Sequence, residues 1–230
     1  MPAEIKVMAT AAFKEAYLEL VPQFESATGH RVTTTWATTA DIVERVRGGE
    51  ATDMAVMAGD AIDKLIASGQ FAAGSRMDVA TSWVAGAVKQ GARKPDFSSV
   101  ASFKQAMLDA RSIAYSFGPS GVYLIELFKH LGIADAIAGK CQQLKGEPIG
   151  AVAARGDAEI GFQQMSELAP IAGIDIIGGL PKEIECITAF STGRHAHTRV
   201  ADAVNALTAF FRAPSVHALI RSKGMEPAQP

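Results

Sequence analysis

A chain of 230 residues, 48% hydrophobic and 20% charged, has room for one large or two modest α/β domains with well-buried cores. Its formal net charge of −2 removes the electrostatic case for nucleic acid or an anionic membrane as partner. Two cysteines, Cys141 and Cys186, are too few for a disulfide framework or a cysteine-based zinc site, and fit either two independent thiols or one bridge.

In chain order, Ile5–Met8 reads as an apolar strand. Met1-Pro2-Ala3-Glu4 before it has neither the basic nor the apolar segment of a signal peptide. The expectation is a cytoplasmic protein as written, or a periplasmic one whose signal peptide has been replaced by Met. No window approaches the roughly 18 uninterrupted apolar residues of a membrane span, so direct membrane insertion is not expected. Residues 12–28 carry Phe13, Ala16, Tyr17, Leu20, Val21 and Phe24 at helical spacing, with Gly29 as the stop and Pro22 as a kink. A strand over 31–37 follows, then a helix capped by Thr38-Thr39, a strand over 54–58 and a helix over 60–68. Residues 5–69 therefore read βαβαβα, the pattern of a parallel sheet covered by helices.

Further on, 83–88 is a strand and 102–110 a helix. The segment 112–117 is a strand with a helix to His130 behind it, and 134–144 reads as helix. A short helix ending at Arg155 precedes strands over 159–163, 174–177 and 187–190, and helices over 200–212 and 215–222 close the chain.

The stretch Tyr115-Ser116-Phe117-Gly118-Pro119-Ser120-Gly121-Val122-Tyr123 organises this pattern. Gly118-Pro119 breaks the strand, and Ser120 stands where a helix N-cap is expected. A strand, a tight turn and a helix gather free backbone N–H groups at one point, where the helix dipole also favours negative charge. The stretch reads equally as an ordinary βα turn with a serine cap.

Layout and residues together resemble the class II periplasmic solute-binding proteins of the molybdate type, over nearly the whole chain. The opening strand and turn match Ile5-Lys6-Val7-Met8-Ala9-Thr10-Ala11-Ala12-Phe13, and the small-polar cluster after the second strand matches Thr35-Trp36-Ala37-Thr38-Thr39. Asp53–Ala58 matches the third strand, Pro119-Ser120-Gly121 the helix start of the second lobe, and Gly156–Gly161 a later strand entry. The resemblance implies a two-lobed α/β fold, each lobe a mixed, mostly parallel sheet flanked by helices. Its expected boundaries are 1–84 plus 188–230 for lobe I and 85–187 for lobe II. A ligand cleft lies between the lobes, and closure hinges near 82–86 and 184–192. It implies a small anionic ligand, an ABC-transporter membrane component as possible partner, and no cofactor or metal.

Departures from the family pattern bear on the ligand. The first-turn serine that contacts the oxyanion in molybdate binders corresponds to Ala12, leaving Thr10 as the nearest hydroxyl. The second serine corresponds to Thr39, and the hinge-side tyrosine to Gln163-Gln164. Carboxamides offer donor and acceptor together, which suits a flatter di- or tricarboxylate better than a compact tetrahedral oxyanion. The expected ligand contacts are Thr10, Ala11, Ala12, Thr38, Thr39, Ser120, Gly121, Gln163 and Gln164. The segments 118–123 and 159–168 also resemble an aconitate isomerase-like subgroup of this fold that often lacks a signal peptide.

Two functions follow. The first is a binding protein that delivers a small carboxylate to a transporter. The second is an isomerase carrying out a 1,3-proton shift on an unsaturated tricarboxylate, which needs a general base. The sequence offers Tyr115 and Glu167 for that role, and Glu167 also reads as a helix-start charge. Thr38-Thr39 reads equally as a plain helix cap and Gln163-Gln164 as a polar strand end. His195-Ala196-His197 lacks a carboxylate or cysteine at ligand spacing and reads as a loop.

Overall fold

The computed structural model describes residues 2–229, and its most deeply buried parallel strands, β3 (Met54–Ala58) and β7 (Ile160–Gln164), are buried at every residue. β1 (Glu4–Ala9) leads through a 3-10 turn at Ala11–Phe13 into α1 (Lys14–Thr28), then β2 (Arg31–Trp36), α2 (Thr39–Arg47), β3 (Met54–Ala58) and α3 (Gly59–Ala67). All five β3 residues are buried, as a strand with helices on both faces requires. Pro22 lies inside α1, which runs on to Thr28, and Gly29 ends it at φ +74°, a left-handed conformation natural only to glycine.

β4 (Met77–Lys89) follows, then α4 (Val100–Asp109), β5 (Ile113–Ser116), α5 (Pro119–His130), α6 (Ala134–Ile137), β6 (Cys141–Leu144), α7 (Ile149–Arg155), β7 (Ile160–Gln164), α8 (Met165–Leu168) and β8 (Ile174–Gly179). The chain closes with β9 (Ile187–Arg194), α9 (Ala201–Phe211), α10 (His217–Ser222) and β10 (Glu226–Pro227). It divides into two units, one of residues up to Ser82 and from Thr188 onward, the other Trp83–Ile187.

In the first unit β1 pairs in parallel with β2 and β3, bringing Trp36 and Val56 level with Ala9, and β3 pairs antiparallel with β9. One face buries Phe13, Tyr17, Phe24 and Phe211 under α1 and α9, and the other buries Ile42, Ile62, Leu65 and Phe71 under α2 and α3. Burial of each such side chain stabilises by about 1.5–3 kcal/mol. In the second unit β5 pairs in parallel with β6 and β7, and β4 antiparallel with β7 and β8. Phe103, Phe128 and Phe162 fill one face, and Ile149 and Val152 the other.

Three sequence expectations are corrected. Residues 134–144 are not one helix: α6 gives way to a 3-10 turn at Ala138–Lys140, and Cys141–Leu144 forms β6 against β5 in register Ile113↔Cys141. Pairing with β5 outweighs the helical propensity of a run that Gly139 already weakens. The strand expected at 83–88 begins six residues earlier, at Met77. Ser120 is not the cap of α5: Gly118 takes that position and Pro119 the first helical one, where its missing N–H costs nothing. Cys141 and Cys186 are both free thiols.

Candidate functional site

Ligands of open α/β sheets bind beyond the carboxyl ends of the parallel strands. In each unit the residues singled out from sequence lie at that edge.

In the first unit, Thr10, Ala11 and Ala12 follow the carboxyl end of β1, and Thr38 and Thr39 follow that of β2, its register neighbour. Thr10 is buried, and its amide and hydroxyl both turn toward the carbonyl of Val56, at 3.0 and 3.5 Å. Ala11 is exposed, whereas the Ala12 methyl belongs to the apolar cluster beneath α1. Thr38 caps α2, its hydroxyl accepting the Asp41 N–H at 3.2 Å. Thr39, the first helical residue, is half-buried.

The second unit holds the more chemically varied cluster. Ser116 ends β5, and its hydroxyl accepts the Gly118 N–H at 3.2 Å and lies 3.3 Å from the buried Ser120 hydroxyl. Gly121 is obligatory here for space: a Cβ at that position stands 1.7 Å from the Ser116 carbonyl oxygen. The first turn of α5 thus packs directly on the end of β5. From the neighbouring strand β7 come Gln163 and Gln164, both buried.

Gln163 is held at both ends. The Ile149 N–H, at the start of α7, donates to its Oε1 at 2.8 Å, and its Nε2 donates to Glu167 Oε1 at 2.9 Å. A backbone N–H is only a donor and the carboxylate here an acceptor, so the orientation of the carboxamide is fixed by its partners. Glu167 is the third residue of α8 and also takes a hydrogen bond from the Gln164 backbone, the reach of a first-turn glutamate to its own cap. Burial pushes its pKa up to about 7, against the pull of the Gln163 and Gln164 hydrogen bonds. Tyr115, the other base considered, is buried against Phe128, and burial and the nearby Cys141 thiol raise its pKa. It is therefore a phenol at neutral pH.

Sequence reasoning missed Ser116 and the Ile149 amide. The repeated small-hydroxyl spacing Ser116/Ser120 was the available signal for the first; nothing in the sequence signals the second. His195 makes an isolated bridge with Phe71, and no cluster of three metal-ligating side chains occurs among the described residues. A shallow depression around Glu4, Glu25 and Arg31 lies at the opposite, amino ends of β1 and β2.

The family model described as bacterial extracellular solute-binding protein matches residues 5–226. An aconitate isomerase from a Pseudomonas species is 37% identical over 234 residues, 98% of this chain and 89% of that protein. The molybdate-binding protein ModA of Azotobacter vinelandii is 28% identical over 173 residues, 72% of this chain and 66% of that one. Among solved structures, the periplasmic molybdate-binding protein of A. vinelandii aligns with a TM-score of 0.79 at 20% identity, over 98% of this chain and 99% of its own. The sulfate-binding protein SubI of Mycobacterium tuberculosis aligns at 0.78 and 14% identity, over 99% and 88%. Such low identities show the fold alone, and it is the fold the sequence resemblance implies.

Proposed function

This chain belongs to the bacterial extracellular solute-binding proteins, and we propose that within that family it binds an unsaturated tricarboxylate and shifts its double bond by one carbon, the reaction of an aconitate isomerase. The observation that carries the reading is Glu167, a carboxyl with a pKa of about 7 at the carboxyl edge of the second unit's parallel strands. A group poised near neutrality takes and returns a proton with little bias. The relative at 37% identity over nearly the full chain supports the substrate class.

The chemistry balances without a co-reactant. Glu167 as carboxylate removes a methylene proton from trans-aconitate. The electron pair left on carbon spreads into the adjoining double bond and carboxylate, the double bond migrates, and Glu167 returns the proton at the former vinyl carbon. Hydrogen-bond donors aimed at the carboxylate stabilise the charge that develops there. The hydroxyls of Ser116 and Ser120 are the proposed donors, with the helix start of α5. Gln163 holds Glu167.

A second reading has one observation in its favour. The hydrogen bond from the Gln164 backbone is what a first-turn glutamate supplies to its own helix, so Glu167 has a structural role without any reaction. On that reading the protein is a receptor for the same carboxylates and hands them to an ABC transporter.

Proton NMR of the purified protein with trans-aconitate in D2O separates the two. Appearance of cis-aconitate, with deuterium entering the methylene faster than in a protein-free control, establishes the isomerase. Substrate that broadens but neither isomerises nor exchanges establishes the receptor. Unaltered spectra at millimolar substrate dispose of both.

A further inference from the structure

The proposed reaction sets an anion with three carboxylates beside a carboxylate base. Like charges at such a distance repel, and the hydroxyls of Ser116 and Ser120 carry no charge to offset them. Charge balance at this edge of the second unit calls for a cation from the same unit.

The sheet topology places one there. β6 runs parallel to β5 with Leu144 level with Ser116, and the Phe117 N–H donates to the Leu144 carbonyl at 3.3 Å. Lys145, the next residue, therefore stands at the carboxyl end of β6, one strand over from the Ser116–Ser120 hydroxyl pair, a spacing of about 5 Å between strands. The segments that follow β5, β6 and β7 at this edge are 117–118, 145–148 and 165–173, and Lys145 is the only basic residue in them. Arg111 and Lys140 precede β5 and β6, at the opposite edge. The segments hold two acids, Glu147 and Glu167, and Glu147 is paired with Arg155 at 3.0 Å. Lys145 is exposed, so its ammonium keeps its water until a ligand arrives, and its flexible four-carbon stem follows a carboxylate that a rigid hydroxyl pair cannot reach.

We propose that Lys145 receives one carboxylate of the ligand and sets the preference for tricarboxylates over dicarboxylates, a role that lies wholly within the second unit. The inference rests on the reading that the ligand is an unsaturated tricarboxylate. Ser116, Ser120 and the start of α5 serve one carboxylate of any such ligand; the added charge of a third carboxylate is what a lysine distinguishes.

The test uses the full chain and the variants Lys145→Met, Lys145→Arg and Lys89→Met. Lys89 is an exposed lysine of the same unit at the opposite edge, level with Ile174 at the start of β8, and its loss changes the net charge by the same amount. Calorimetry follows propane-1,2,3-tricarboxylate, which has no double bond to shift, and glutarate, which lacks its central carboxylate. Proton NMR follows trans-aconitate, and thermal unfolding of each unliganded variant runs alongside. The expected result is that Lys145→Met binds the tricarboxylate about 10-fold more weakly, a loss of about 1.4 kcal/mol, while glutarate changes much less. Lys145→Arg recovers most of the affinity, Lys89→Met binds as the parent does, and all three unfold near the parent's temperature. Parent-like affinity and preference in Lys145→Met overturn the inference while leaving the ligand class standing. Equal losses in Lys145→Met and Lys89→Met, or equal losses for both ligands, overturn it too, since either reduces the effect to net charge or to a general anion contact. A parent that binds no tricarboxylate and leaves trans-aconitate unchanged removes the ligand class, and the inference with it.

Discussion

Gln163 and Glu167 form one hydrogen-bonded pair, Nε2 to Oε1 at 2.9 Å, anchored at its far end by the amide of Ile149. The pair joins the start of α7 to the first turn of α8 through a side chain of β7. It holds the carboxyl in one place while burial keeps it close to neutral.

That carboxyl fixes a pH dependence. Its pKa rises from 4.5 in the free side chain to about 7 in the folded protein, so between those values the folded state holds a proton that the unfolded state has released. Stability therefore falls as pH rises from about 4.5 to 7 and levels off above. Glu167→Gln abolishes this slope. Above pH 7 it is more stable than the parent by about 1–3 kcal/mol, since each pKa unit corresponds to about 1.4 kcal/mol. Urea unfolding at pH 5, 6, 7 and 8 measures both. Isomerase turnover in the same variant drops by about 100-fold or more. A variant with parent-like turnover removes Glu167 from the mechanism.

Gln163→Leu strips a donor from Glu167 and leaves the Ile149 N–H facing an apolar side chain. The cost to stability is about 1–3 kcal/mol, that of a buried polar group deprived of its partner. The Glu167 carboxylate loses a stabilising hydrogen bond, so its titration moves to higher pH. Carbon-13 NMR of labelled glutamate side chains reads the shift directly, with or without turnover. In an active enzyme the acid limb of kcat/KM moves with it. A Glu167 resonance that titrates as in the parent contradicts the coupling.

Gly121→Ala sets a new Cβ 1.7 Å from the Ser116 carbonyl oxygen, a collision with backbone that no rotamer relieves. The expected cost exceeds about 2 kcal/mol, and the junction of β5 with α5 is displaced. At Gly118, three residues earlier, a Cβ meets only the Ser116 hydroxyl, at 3.3 Å, and a side-chain oxygen turns aside at small cost. Thermal unfolding of the two alanine variants separates them by several degrees. Equal losses contradict the close approach of α5 to β5.

Much of this architecture is legible in the sequence because the strands and helices carry their periods openly. The buried run Met54–Ala58 and the spacing Phe13, Tyr17, Leu20, Phe24 each admit one reading. β6 is not legible, because Cys141-Gln142-Gln143-Leu144 is polar in the middle and becomes a strand only through its pairing with β5. The two hydroxyl clusters follow strand ends and are visible as small polar residues after apolar runs. The environment of Glu167 is not: Ile149 lies 14 residues from Gln163 in the chain, and only the packing of α7 back onto β7 brings its amide onto that carboxamide. Lys14 and Trp36, 22 positions apart, meet because α1 packs onto β2.

Thr38 and Thr39 separate capping from ligand binding within one dipeptide. The Thr38 hydroxyl already accepts the Asp41 N–H, so Thr38→Ala removes a cap and costs about 1 kcal/mol of stability. Thr39 is the first residue of α2, and its hydroxyl makes no hydrogen bond among the described residues. Thr39→Ala accordingly leaves unfolding close to that of the parent. If its hydroxyl meets a ligand carboxylate, as the sequence resemblance implies, the same change weakens trans-aconitate binding about 10-fold, near the 1.5–3 kcal/mol of a hydrogen bond to a charged group. Chemical unfolding and calorimetry on both variants form a two-by-two comparison. A stability loss confined to Thr38→Ala and an affinity loss greatest in Thr39→Ala place the ligand at the α2 start. An affinity loss that tracks stability in both reduces the dipeptide to a cap.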